Sequence, residues 1–192
     1  WIFAISLPFF IILGFFGAEI LSLFGQEFVD GYIPLLILIG AGVVTVATGS
    51  NVTLTMSGYP HYTAINEALN LGLVIVLGVW LIPEYGLLGA VSAITSGMVT
   101  TNVLQVVQIW LHLRVQPYNW DFAKVVLAGL GSVLVTWLAK QLLSVESLPA
   151  VVFVAMLAVM AYLGLLFGLG LTEEEKAIVT LAWQRARQII AS

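Results

Sequence analysis

Residues Asn66 to Asn102 read NEALNLGLVIVLGVWLIPEYGLLGAVSAITSGMVTTN, and this stretch decides the fold. It is an apolar helix, a very short turn on Pro83-Glu84-Tyr85-Gly86, and a second apolar helix that returns at once. Pro83 removes a backbone donor and ends the first helix, and Gly86 lets the backbone reverse. Each flank is long enough to cross ~30 Å of hydrocarbon at ~1.5 Å rise per residue. A soluble domain has no place for a hairpin this apolar, so the pair belongs in a bilayer.

Composition extends that reading to the whole chain. Charged residues make up 8%, against about 25% in soluble domains, and mean hydropathy is +1.09. This is an all-α integral membrane protein. The net charge of −4 is spread thinly and points to no nucleic-acid partner. Cysteine is absent, which removes disulfide and thiolate chemistry. Trp1 already lies in an apolar run with no cleavable signal, so the chain reads as a piece of a longer transporter.

Six spans fit the hydropathy. They run from Trp1 to about Phe24 with Pro8 inside, Ile33 to Met56 with Pro34 in its first turn, Ala64 to Ile82, Leu87 to Leu111, Lys124 to Leu143, and Leu148 to Leu171. With six crossings both ends lie on one side. That side carries Arg114, Lys124, Lys176, Arg185 and Arg187, while the opposite side carries Lys140 as its one basic residue, together with Glu27, Asp30, Glu84 and Glu146. The bias of basic residues toward the cytoplasm places the C-terminus there, in the cytoplasmic membrane. Beyond residue 171, Thr172-x-x-Glu175 fits a capping box. Ile178, Leu181, Ala182 and Ile189 then share a helical face, with Trp183 at its boundary and Lys176, Gln184 and Arg187 away from it. This is an amphipathic tail helix, lying on anionic lipid or packed beneath the bundle. The organisation expected is thus 1–111 for four spans, 112–171 for a cytoplasmic loop and two more, and 172–192 for the tail.

Polar residues within the spans are the candidate site. Thr48, Asn51 and Thr55 fall at i, i+3 and i+7 of one helix, and Thr95, Asn102 and Gln105 form a second stripe, with Thr101 and Gln108 beside it. Amides in hydrocarbon need partners, so these stripes face protein or a wet cavity. They line the path of a polar head group, or they tie packed helices together at about 0.6 kcal/mol per bond. Glu67, with Asn66 and Asn70, and Glu19 are candidate carboxylates for coupling to a cation or proton. The competing role for Glu67 is to serve a helix's first turn, and Glu19 is close enough to the interface to reach water. His61 and His112 have no companion ligands at metal-like spacing. Asn51-Val52-Thr53 is a glycosylation sequon placed inside a span, and Gly164-x-x-x-Gly168 permits close helix contact. No phosphate-binding Gly-rich loop and no Ser/His/Asp grouping is present, so neither an enzyme nor a cofactor is expected.

The order of several of these features carries a resemblance. Ser57-Gly58-Tyr59-Pro60, then Asn66 and Asn70, then Ile82-Pro83-Glu84-Tyr85-Gly86 and Gly89-Ala90 resemble the C-terminal half of the polysaccharide and O-antigen flippases. These belong to the multidrug/oligosaccharidyl-lipid/polysaccharide exporter superfamily. Leu23-Phe24-Gly25-Gln26-Glu27-Phe28 is similar to an outer loop of that family, and Leu171-Thr172-Glu173-Glu174-Glu175 to the start of its cytoplasmic tail. The resemblance implies helices nine to fourteen of a MATE-like fourteen-helix transporter: part of the second lobe, two extra C-terminal helices and the tail. It implies alternating access, a lipid-linked oligosaccharide substrate, membrane lipids as surroundings, a missing N-terminal lobe of the same polypeptide, and a cytoplasmic C-terminus. One departure stands out. The family's cavity is rich in Arg and Lys, whereas no basic residue lies deep in a span here. A cation-coupled multidrug antiporter of the same superfamily would show a working acid deep in the membrane. A membrane-embedded oligosaccharide polymerase or ligase would need large outer loops, and these are short. A non-transporting membrane scaffold would require a gene no longer than this chain.

Overall fold

The computed structural model describes residues 2–49, 54–113, 120–143 and 148–168. The described residues form helices and turns: α1 Ile2–Ser22, a 3-10 turn Gln26–Gly31, α2 Tyr32–Thr48, α3 Pro60–Leu113, α4 Trp120–Leu142 and α5 Leu148–Gly168. Five of the described stretches are long and apolar enough to cross a membrane. The expected tail 172–192, Arg114 and Asn51 lie outside the described residues. The chain divides into two compact units, Trp1–Pro117 and Tyr118–Ser192.

In the first unit, α3 holds 54 residues, which would measure about 80 Å if straight, far beyond ~30 Å of hydrocarbon. It does not stay straight. Gly86 alone leaves helical geometry, at φ 56 and ψ −125, a conformation that glycine adopts without steric cost. A Cβ built on Gly89 would strike the backbone carbonyl of Leu81, and one on Gly97 would strike the side-chain oxygen of Asn70. Contacts between residues so placed require two antiparallel limbs, 60–85 and 87–113. The hairpin expected at Pro83–Gly86 is present, but the reversal falls at Gly86. Pro83 sits inside the last turn of the first limb, three residues before the reversal, so the helix continues past it to residue 85. The two limbs are thus two separate helices, each long enough to cross ~30 Å of hydrocarbon.

α1 continues as helix through Pro8 and packs antiparallel on α2. Gly17 meets the Tyr32 ring and Leu35, Gly42 meets Phe10, and the Tyr32 hydroxyl donates to the Gly14 carbonyl at 2.7 Å. Pro34 lies in the first turn of α2 and is buried, as its position predicts. The second span expected to reach Met56 is shorter. α2 stops at Thr48 because Gly49 takes a left-handed conformation (φ 53) and its N–H bonds the Thr45 carbonyl.

In the second unit, α4 and α5 pack against each other. Ser132 donates to the Ala158 carbonyl at 2.8 Å across the pair, and Thr136 bonds back to Ser132 within α4. The close contact that Gly164-x-x-x-Gly168 permits is not made among the described residues, where a Cβ on either glycine would meet nothing within 4 Å. The tight spot is Gly131, against a terminal methyl of Leu165. Leucine ends rotate, so Gly131→Ala is expected to change stability by less than about 1 kcal/mol. Reversible unfolding in detergent micelles, followed by circular dichroism, checks this; a larger loss would place rigid atoms at that contact.

Polarity in both units is the reverse of a soluble protein's. Asn66, Asn102, Gln105, Ser132 and Thr136 are buried, while Val76, Val79 and Trp80 are exposed, Trp80 at 81%. Leaving such side chains in water forgoes ~1.5–3 kcal/mol each, whereas lipid tails solvate them at no such cost. The described helices are those of a multi-pass membrane protein.

Candidate functional site

The polar side chains of the first unit gather at the open end of the hairpin, away from Gly86. Asn66 on the first limb and Gln108 on the second exchange two amide hydrogen bonds. Asn66 Nδ2 donates to Gln108 Oε1 at 2.7 Å, and Gln108 Nε2 donates to Asn66 Oδ1 at 3.0 Å. Asn66 is fully buried. The two residues stand 42 positions apart, equally far from Leu87, as antiparallel limbs require. Tyr62 and His112, 50 apart, obey the same symmetry. The Tyr62 hydroxyl lies 3.1 Å from His112 Nε2, and His112 Nδ1 lies 3.0 Å from the Gln108 carbonyl. That carbonyl can only accept, so in the neutral imidazole Nδ1 carries the hydrogen and Nε2 accepts from tyrosine.

A second seam joins α2 to the returning limb. Asn102 Nδ2 donates to Thr45 Oγ1 at 2.8 Å, and the Thr48 hydroxyl is 3.2 Å from Asn102 Oδ1. Both threonines also bond back within α2, Thr45 to the Ala41 carbonyl and Thr48 to the Thr45 carbonyl. Thr45 can accept from Asn102 while donating to Ala41, whereas the single hydrogen of the Thr48 hydroxyl is shared between the Thr45 carbonyl and the more distant Asn102 Oδ1.

The structure brings Thr48 and Asn102 together and buries Gln105 on the same limb. Thr95 lies further toward the turn, and its buried hydroxyl has no hydrogen-bond partner among the described residues. Thr55 does not share a continuous helix with Thr48, because Gly49 interrupts the face expected for Thr48, Asn51 and Thr55. Its hydroxyl is 3.3 Å from that of Thr63. Glu67 is exposed and its carboxylate is 3.5 Å from the Asn70 amide nitrogen. Glu19 is half-buried in the last turn of α1, where the Ser22 hydroxyl bonds its backbone carbonyl. The two carboxylates are therefore on different helices. Among the described residues, no three metal-ligating side chains converge.

Sequence reasoning missed Thr45, the pairing of Asn66 with Gln108, and the ring cluster of Tyr59, His61, Tyr62 and His112. Mirror symmetry about the hairpin turn would have found both cross-limb pairs. Comparison with protein-family models, with curated proteins and with solved structures found no match.

Proposed function

We propose that this chain is part of a membrane flippase that carries lipid-linked oligosaccharide or polysaccharide precursors across the cytoplasmic membrane, with its C-terminus in the cytoplasm. The observation that carries this reading is the chemistry of the buried polar set. Among the described residues it consists of amides and hydroxyls, including Asn66, Thr101, Asn102 and Gln105. Such groups both donate and accept, which suits sugar hydroxyls. A cation-coupled antiporter calls for a carboxylate among those amides; Glu67 is exposed, and Glu19, which keeps one carboxylate oxygen out of solvent, lies on a different helix, in the last turn of α1.

The seam between α2 and the second limb suits a part that opens and closes. If the two separate, Thr45 and Thr48 keep their bonds within α2, and only Asn102 is released to a passing head group. The polar part of the opening cost is then that of the Asn102 contacts, about 0.6 kcal/mol per interhelical bond. Basic residues among those described are Lys124 and Lys140, near the two ends of α4. On this reading, charges that hold a diphosphate come from an N-terminal lobe of the same polypeptide.

The test is transport by the whole protein in vesicles loaded with a fluorescent lipid-linked oligosaccharide. Asn102→Leu is expected to slow flipping at least tenfold at normal expression, and an unchanged rate would remove Asn102 from the path. The 192-residue chain by itself is expected not to transport; activity from it alone would overturn the two-lobe account.

A further inference from the structure

At the open end of the hairpin four rings pack together. Tyr59 lies 6.0 Å from His61, 6.0 Å from Tyr62 and 5.3 Å from His112, while Tyr62 lies 4.4 Å from His61 and 4.8 Å from His112, between ring centroids. Three rings come from the entry to the first limb and one from the last turn of the second. Their positions are fixed from below. Tyr62 and His112 bond each other, His112 bonds the Gln108 carbonyl, and Gln108 is locked to Asn66.

Two members of the cluster are not used up by this frame. Among the described residues, neither the Tyr59 hydroxyl nor the ring nitrogens of His61 have a hydrogen-bond partner, and His61 is exposed. A rigid aromatic surface with a free hydroxyl and a free imidazole at its edge offers two things together. The ring faces take the C–H face of a pyranose, and the edge groups bond its hydroxyls. An ammonium or a carboxylate would ask for an oppositely charged side chain, and among the described residues the ring and hydrogen-bond contacts of these four side chains include no Asp, Glu, Lys or Arg.

We propose that Tyr59, His61, Tyr62 and His112 form a docking platform for the neutral sugar ring of a membrane glycolipid. Resting on the flippase reading, it is where the head group is first held, before it reaches Asn102. The chain has two histidines, and both are in the platform, so imidazole signals report on it without background.

The experiment uses the 192-residue chain with isotope-labelled histidine, in phosphatidylcholine nanodiscs doped with increasing monoglucosyl diacylglycerol. The imidazole resonances of His61 and His112 are expected to shift saturably with the glucolipid and to stay put with phosphatidylglycerol. Tyr59→Leu is expected to weaken the apparent affinity at least tenfold; Tyr59→Phe, which keeps the ring, only a few-fold. Equal shifts with both lipids would make the cluster an ordinary aromatic belt at the membrane surface and overturn the proposal, as would no shift with the glucolipid. The two readings fail separately. Unchanged flipping by Tyr59→Leu in the whole protein sinks the platform alone. Saturable glucolipid binding by a whole protein that flips nothing sinks the flippase alone.

Discussion

Gly89→Val is expected to open the hairpin, costing about 3 kcal/mol or more, at the upper end of what overpacking costs. The reason is what a side chain would meet. A Cβ at Gly89 would strike the Leu81 carbonyl oxygen, its carbon and the Ile82 nitrogen, all backbone atoms. Backbone cannot rotate aside as a leucine methyl can, so the limbs must part by more than 1 Å near the turn. That loosens every cross-limb contact above it, the Asn66–Gln108 pair included. Gly72 is the control, since a Cβ there meets nothing within 4 Å. Gly72→Ala is expected to be neutral, or to stabilise by up to ~1 kcal/mol through helix propensity. Two measurements check the pair: reversible unfolding in micelles, and cross-linking of thiols placed by Asn66→Cys and Gln108→Cys in this cysteine-free chain. Cross-linking that survives Gly89→Val undiminished would show that the limbs are not in backbone contact there.

Asn66→Leu is expected to destabilise the first unit by about 2 kcal/mol, more than Asn102→Leu, although both remove an amide from a buried seam. The difference lies in what is left behind. Losing Asn102 leaves Thr45 and Thr48 still bonded to carbonyls of their own helix. Losing Asn66 takes away both side-chain partners of Gln108 at once, and an orphaned amide in an apolar setting costs ~1–3 kcal/mol. The double variant Asn66→Leu with Gln108→Leu is expected to recover at least half of the loss, because leucines need no partners. A double-mutant cycle reads this directly. Additive losses, with no recovery, would mean that the two amides do not depend on each other in the folded protein.

Much of the architecture was legible because bilayer helices obey few rules. Runs of apolar residues had to be helical, and the Pro83–Gly86 turn had to bring two of them side by side. What the residues could not reveal was the end of α2. Thr48 to Met56 contains nothing that forbids helix, and only the left-handed Gly49 shows that the helix stops. Thr48 and Thr55 therefore do not share one continuous helix. The site was half readable. Hydrocarbon forces amides to find partners, so burial of Asn102 and Gln105 followed from their type. Which group each one meets depends on helix rotation, which composition does not encode. Asn66 was read as part of a helix start beside Glu67, yet its partner lies 42 residues away.

That distance has a further consequence for how the protein is made. At ~5–20 residues per second, the ribosome needs a few seconds to reach Gln108 after Asn66. Hairpin pairing, once both limbs exist, is far quicker. For those seconds the first limb carries a buried-type amide with its natural mate still unsynthesised. The membrane or the insertion machinery must keep it wetted until the second limb arrives, and the pair then closes as one event of assembly, before α4 has left the ribosome.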